Sequence, residues 1–314
     1  MSIRTVFMGS PEFSLPALQG LANHFPVVGV VTQPDRPAGR GRVLTPPPVK
    51  LLARQLGIPV IQPRRLRELQ AMQQLQDWDP ELIVVAAFGQ ILRAEVLDLP
   101  RYGCVNVHAS LLPRWRGAAP IPAAILHDDA ETGVTIMLMD PGVDTGPMLS
   151  QRALPIRPED TAGTLSERLS VLGGELLLET LPRSLSGELQ PIPQDDSAAT
   201  YAPMLKKEDG RLDFSLPAAE LERQVRAFNP WPGTFLEWQG QPLKIHRARA
   251  VRSNVMAGRF WNAPGTRETY EDRPAVGTSQ GLLVLDLVQP AGKRPIPGSE
   301  FLRGARAWEG NVPG

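Results

Sequence analysis

Cysteine is nearly missing from this sequence, which excludes a disulfide-stapled scaffold. Cys104 is its one thiol in 314 residues, so no internal bridge can form and a reducing cytoplasm fits. Among apolar neighbours it reads as a small buried hydrophobe rather than a nucleophile. Long apolar runs are also missing. No stretch approaches the roughly 20 residues of a membrane helix, so no membrane contact is expected. Arg4 sits inside the first strand-like run, and no long apolar stretch with a cleavage site follows, so no signal peptide is expected. Histidine is scarce. His24, His127 and His246 lie far apart without metal-ligand spacing and read as structural or surface residues, so no metal site is expected. MGSPEF, Met8–Phe13, lacks the G-x-G-x-x-G spacing, which disfavours a dinucleotide cofactor.

Net charge is lacking too, with 33 Lys and Arg against 33 Asp and Glu. The balance is uneven along the chain. From Lys206 onward there are 16 basic against 12 acidic residues, and before it 17 against 21. This asymmetry is mild and by itself names no partner.

Hydrophobic residues make up 42% of the chain, enough for a packed core. The 33 prolines suggest fixed turns and an ordered linker rather than disorder. Ile3–Met8, Val27–Thr32, Ile58–Ile61 and Leu82–Ala87 read as strands buried on both faces. Helical stretches alternate with them at Ser14–Asn23, Pro48–Gln55 and Leu66–Leu75. Further strands are expected at Cys104–His108 and Val134–Met139, a helix from about Ala118 to Leu126, and a long one over Thr161–Ser186. This rhythm predicts an α/β fold with a doubly wound, mainly parallel, Rossmann-like sheet. Gln190–Pro203 is rich in Pro, Asp, Ser and Ala and reads as a linker. Beyond it a short helix, Pro217–Ala227, precedes strands at Thr234–Trp238, Leu243–Ala250, Ala275–Thr278 and Leu282–Leu287. These predict a smaller C-terminal β-rich domain, an open barrel of OB-like type.

The chemistry gathers at two segments. In GCVNVHASLLP, Gly103–Pro113, strand alternation sends Val105 and Val107 to one face and Asn106 and His108 to the other. Ligands of open α/β sheets bind at the carboxyl ends of strands. There an amide can donate to an oxygen gaining charge, and an imidazole can move a proton near neutral pH. As a bare pattern the same pair reads more readily as two hydrogen-bonded residues at a strand end. In DPGVDTGP, Asp140–Pro147, two aspartates with interleaved Gly and Pro make a tight loop. Asp140 reads as a turn former. Asp144 reads as the carboxylate that faces the imidazole and favours its charged form. Ser110, Leu111, Leu112 and Pro113 offer backbone groups and apolar surface to a flat ligand. Trp115 reads either as an acceptor contact or as packing.

Together DPGVDTG and GCVNVHASLLPRWRGAAPI resemble the folate-dependent formyltransferase family. That family includes the methionyl-tRNA, glycinamide ribonucleotide and amino-sugar formyltransferases and the formyltetrahydrofolate hydrolases. The resemblance implies that Asn106, His108 and Asp144 are catalytic and that Ser110–Pro113 lies against the folate. It also implies 10-formyltetrahydrofolate as formyl donor, with no metal. PDRPAGRGRVLTPPPVK, Pro34–Lys50, carries Arg36, Arg40, Arg42 and Lys50 with no acid from Arg36 onward. On charge alone it is a solvated loop or a phosphate contact. Its wording resembles the loop of the family members that engage the acceptor end of tRNA. ATYAPMLKKEDG, Ala199–Gly210, resembles the family's interdomain linker, and Lys206 and Lys207 within it are expected tRNA contacts. RAFNPWPGTF and VQPAGKRPIPGSEFLRG resemble its C-terminal barrel. The implied division is a catalytic domain over 1–189, a linker over 190–207 and a tRNA-binding barrel over 208–314. The implied activity is formylation of the methionine on initiator Met-tRNA by a cytoplasmic monomer. The alternatives are a formyltransferase for a small amino sugar or nucleotide, a folate hydrolase, and a non-catalytic RNA-binding protein.

Overall fold

Continuous β-branched runs belong at the centre of a sheet, where helices cover both faces. The computed structural model, which describes residues 3–38, 41, 43–251, 263–305 and 307–311, has that arrangement. Two compact units divide the chain. One comprises Met1–Pro120, Glu131–Pro155 and Ser166–Pro203; the other comprises Ile121–Ala130, Ile156–Leu165 and Met204–Gly314.

Up to Pro203 the elements run β1 (Thr5–Gly9), α1 (Leu15–His24), β2 (Val27–Val31), β3 (Arg36–Ala38), β4 (Val43–Thr45), α2 (Pro48–Gln55), β5 (Val60–Ile61), α3 (Leu69–Trp78), β6 (Leu82–Ala86), α4 (Ala94–Leu97), β7 (Cys104–His108), β8 (Arg116–Gly117), α5 (Pro120–Leu126), β9 (Glu131–Leu138), β10 (Met148–Pro155), α6 (Ala162–Leu185) and β11 (Tyr201–Ala202). The main sheet has the order β10-β9-β7-β6-β1-β2-β5. The five strands from β7 to β5 are parallel, and β9 and β10 are antiparallel. Strand order therefore reverses between β1 and β6, the position where open α/β sheets form a crevice.

Every residue of β1, β6 and β7 is buried. Val6, Met8, Ile83, Val85 and Cys104 pack on one face with Leu75 and Trp78 of α3 and Val96 of α4. Val107, of opposite parity, lies against Gly173 of α6 on the other. Each fully buried aliphatic side chain contributes roughly 1.5–3 kcal/mol. The sheet is thus doubly wound and mainly parallel, as the alternating pattern predicts. Strand β10 was not expected. It is an edge strand with alternate residues exposed, so it has no continuous apolar run to mark it.

In the second unit α7 (Ala218–Ala227) precedes β12 (Thr234–Trp238), β13 (Gln241–Val251), β14 (Thr266–Tyr270), β15 (Arg273–Gly277), β16 (Leu282–Gln289), β17 (Ile296–Pro297), α8 (Gly298–Gly304) and β18 (Gly310–Asn311). The order β12-β13-β16-β15-β14-β18, with β17 on β16, is antiparallel throughout. Register shifts around Arg247 bend β13, and such bulges curl a sheet into an open half-barrel. Its core joins Leu221 and Val225 of α7 to Leu243, Ile245, Leu283, Leu285 and Phe301. Phe301 meets Trp238 and Trp308 edge-on at centroid distances of 4.9 and 5.6 Å. Among the described residues no helix is long and apolar enough to cross a membrane.

Candidate active site

Strand β7 spans the residues the alternation rule assigns to it, and it brings Asn106 and His108 to the face shared with Cys104. Both are buried. The route by which Asp144 joins them is not the one the sequence suggests. A carboxyl-end loop after a parallel strand would meet the end of β7 directly. Strand β9 is instead antiparallel to β7, pairing Val105 with Leu138 and His108 with Thr135. The loop after β9 therefore starts beside the beginning of β7 and must fold back across its face. Gly146 makes this possible, because a Cβ there would lie 1.9 Å from the Leu138 carbonyl oxygen. Asp140 stays at the base of the loop, its Oδ1 accepting from the Gly142 N–H and the Thr145 hydroxyl. That is the turn role expected of it.

Asp144 sits at φ +54°, a left-handed conformation that Asp tolerates better than most residues. Its Oδ1 accepts from Asn106 Nδ2 at 3.3 Å, and its Oδ2 accepts from the Gly117 N–H at 2.9 Å. The same Oδ1 lies 3.6 Å from His108 Nδ1. That distance is beyond a hydrogen bond but within ion-pair range. On the far side of the ring His108 Nε2 is 3.0 Å from the Trp115 carbonyl oxygen. A carbonyl only accepts, so Nε2 carries a proton and Nδ1 of the neutral ring is left free to take one. Trp115 is buried with Arg114 over its ring, and its backbone carbonyl is the group that meets His108.

Ser110, Leu111, Leu112 and Pro113 follow His108 directly, and most of their backbone groups are already engaged. Thr135 Oγ1 donates to the Ser110 carbonyl and accepts from the Leu112 N–H. Gln151 Nε2 donates to the Leu112 carbonyl. Arg114 N–H and Thr200 N–H serve the carbonyls of Leu111 and Pro113. The partly exposed faces of Leu111 and Pro113 are what remains for a ligand. A cavity of about 140 Å³ opens beside the polar cluster, lined by Gln90, Ile91, Leu92, Met137, Met139, Asp140, Gly142, Val143 and Asp144. Gly142 and Val143 belong with the two aspartates to the DPGVDTGP loop, whereas Gln90–Leu92, Met137 and Met139 escaped the sequence reading as site residues. FGQIL directly after the apolar run of β6, at the switch point, is the signal that could have found Gln90–Leu92.

The basic segment is a hairpin whose strands β3 and β4 pair Arg36 with Thr45. Arg36 is exposed, as are Val43 and Leu44. Arg40 and Arg42 lie outside the described residues. Lys50 belongs elsewhere. It is buried, and its Nζ donates to both oxygens of Asp35 at 2.7 Å, where Gln62 also donates. It anchors the foot of the hairpin and leaves no free charge for a phosphate. The hydrogen bonds from Lys50 hold the Asp35 carboxyl below its ordinary value. Lys206 and Lys207 are exposed at the start of the second unit's last segment.

Residues 7–181 match the formyl transferase family, and residues 204–306 match the formyl transferase C-terminal domain. The chain belongs to the formyl transferase family. Within it, the chain is 48% identical over 311 residues to methionyl-tRNA formyltransferase of Myxococcus xanthus, covering 99% of this chain and 97% of that one. It is 50% identical over 305 residues to methionyl-tRNA formyltransferase of Bacillus pumilus, covering 96% and 95%. Among solved structures, HypX from Aquifex aeolicus in complex with tetrahydrofolic acid superposes with a TM-score of 0.62 at 16% identity. That match covers 97% of this chain, which spans about half (47%) of the HypX chain. It shows that the formyl transferase fold is shared.

Proposed function

We propose that the protein transfers the formyl group of 10-formyltetrahydrofolate to the α-amino group of methionine on initiator Met-tRNA, the step that prepares the charged tRNA for translation initiation. The observation that carries this reading is the meeting of Asn106 and His108 with Asp144, which lines the cavity, in a chain whose relatives at 48–50% identity over nearly its full length are methionyl-tRNA formyltransferases. The cavity suits a flat heterocycle. Ile91, Leu92, Met137, Met139 and Val143 offer apolar surface, and Gln90, Asp140 and Asp144 offer polar partners. The partly exposed Leu111 and Pro113, held in place by the buried Ser110 and Leu112, extend the folate contact beyond it. The bound folate supplies a formyl group already activated on its N10.

Asn106 donates to the formyl oxygen as the amine attacks and that oxygen gains charge. One such donor contributes ~3 kcal/mol to lowering the barrier. His108 Nδ1 takes the proton released by the amine as the new N–C bond forms. Asp144, within ion-pair range of Nδ1, stabilises the resulting imidazolium. His108 then returns the proton to N10 as the C–N10 bond breaks, so neither proton nor charge is left over. Proton transfer of this kind contributes about 10²–10⁴-fold.

Arg36 on the hairpin, with Arg40, Arg42, Lys206 and Lys207, contacts the tRNA backbone. The exposed Val43 and Leu44 on β4 suit unpaired bases at the acceptor end. This hairpin favours tRNA over the amino-sugar alternative, which has no use for it. In this reading the protein works as a monomer in the cytoplasm, with residues 1–189 catalytic, 190–207 linking and 208–314 holding tRNA.

The test is incubation with 10-formyltetrahydrofolate and either charged Met-tRNA or free methionine. Formyl-methionyl-tRNA should form and formyl-methionine should not. Asn106→Ala, His108→Ala and Asp144→Ala, each folded, should lose turnover; wild-type rates in all three would remove the proposed centre. Arg42→Ala should weaken tRNA binding and leave folate binding intact.

A further inference from the structure

The composition of Gln190–Pro203 marks it as a linker, yet it runs along the first unit and bonds the backbone of Asp144 and of Trp115, the residue whose carbonyl meets His108. Ile192 exchanges backbone hydrogen bonds with Met148 at 2.8 Å. Two residues later Gln194 Nε2 donates to the carbonyl oxygens of Asp144 and Gly146 at 2.8 and 2.7 Å. Its Oε1 accepts from Arg116 Nε at 2.9 Å, so the amide cannot turn over. Arg116 is itself buried, and its other arm donates to Asp196 at 2.7 Å. Further along, Thr200 Oγ1 accepts from the Trp115 N–H at 2.9 Å, and the Thr200 carbonyl accepts from the Arg116 N–H. Trp115 sits at φ +62°, a conformation that a β-hydroxyl on its N–H helps to hold. Its carbonyl is the one that receives His108 Nε2. Tyr201 and Ala202 then pair with Arg116 and Gly117, and Gly117 is the donor to Asp144 Oδ2.

We propose that Ile192–Ala202 is a positioning strap for formyl transfer, in which Gln194, locked by Arg116, sets the Asp144 loop and Thr200 sets the carbonyl that orients His108. None of these three residues reaches the reacting atoms. Each fixes the backbone group from which a reacting side chain takes its place. Asp144 occupies a left-handed conformation in a loop folded back across the face of β7, a geometry that needs outside support. Gln194 supplies that support through the two carbonyls on either side of Thr145.

The proposal rests on the reading of His108 and Asp144 given above, and the experiment separates the two. Gln194→Glu keeps the acceptor for Arg116 and removes both donors to the loop. Thr200→Val keeps the shape and removes the acceptor for Trp115. In Gln194→Glu, kcat should fall about 10–100-fold, as expected when a reacting group is displaced by about an ångström. KM for Met-tRNA and for 10-formyltetrahydrofolate should hold, and thermal stability should match the wild type. In Thr200→Val, the ¹⁵N resonances of His108 should shift from one dominant tautomer, protonated at Nε2, towards a mixture. Wild-type kcat in Gln194→Glu would overturn the strap, and so would a loss of kcat that merely tracks a fall in melting temperature. Unchanged His108 resonances in Thr200→Val would overturn its second arm. An inactive wild type, or a fully active Asp144→Asn, would instead remove the functional reading, while the resonances still report on the strap.

Discussion

Gly117 shows how much of this site hangs on single backbone positions. Its φ is +112°, and a Cβ there would lie 2.7 Å from the Ala202 carbonyl oxygen. Its N–H is also a direct hold on Asp144. Any side chain must therefore push β8 from β11 and draw that donor away from the carboxylate. Gly117→Ala should cost about 1–3 kcal/mol of stability through backbone strain, with kcat falling by more than the stability loss explains. Urea unfolding beside steady-state kinetics reads both. In sequence the same glycine is just a small residue near the start of a helix, because φ is a property of the fold. Asn106 and His108 were legible for the opposite reason: two-residue alternation within a strand is local and needs no tertiary knowledge. Asp144 was legible as a candidate but not in its route, since the antiparallel turn of β9 is decided by strand pairing.

At the scale of elements, the β3–β4 hairpin is carried by an ion pair that the spacing of basic residues disguised. Lys50 is counted with the arginines in sequence, yet its charge is spent on Asp35 at the hairpin's foot. Lys50→Met should therefore loosen the hairpin and raise KM for Met-tRNA by roughly tenfold, about 1.4 kcal/mol, with KM for the folate unchanged. An unchanged KM for tRNA would free the hairpin from this anchor. The pair also has a pH signature. Lys50 and Gln62 depress the Asp35 carboxyl below its ordinary value of 3.8, so the folded state binds its proton less readily than the unfolded chain. The stabilisation is present above 3.8 and is lost as pH falls through the lower folded value. Hairpin protection from proteolysis should persist at pH 4 and fail in stronger acid. Elements that the sequence reading missed, β10, β14 and α8 among them, are short or edge-lying. Their residues are partly exposed, and their state is set by the neighbour they pair with rather than by their own pattern.

For the molecule as a whole, zero net charge must be reconciled with a polyanionic substrate. In the proposed reading attraction is local, carried by the hairpin and by the excess of four positive charges from Lys206 onward. KM for Met-tRNA should therefore rise steeply with salt, and Arg36→Ala should shallow the log–log slope by about one unit, the contribution of one phosphate contact. A flat salt response would return the choice to a small acceptor. The second unit must also hold its shape around a small core, in which Phe301 bridges two tryptophans. Phe301→Ala should destabilise that unit by about 3–5 kcal/mol, measured by loss of near-ultraviolet aromatic signal ahead of the first unit's transition.

One further consequence lies in Cys104. The thiol is 2% exposed on β7, two residues before Asn106, and burial pushes its pKa up to about 12. A neutral, enclosed thiol does not react with alkylating reagents. As the only cysteine, it gives a single chemical clock for transient opening of the strand that carries Asn106 and His108. In native protein at pH 8, alkylation should proceed at the rate of opening and slow when folate and tRNA are bound. The intact mass would then count, molecule by molecule, how often the centre of the sheet comes apart.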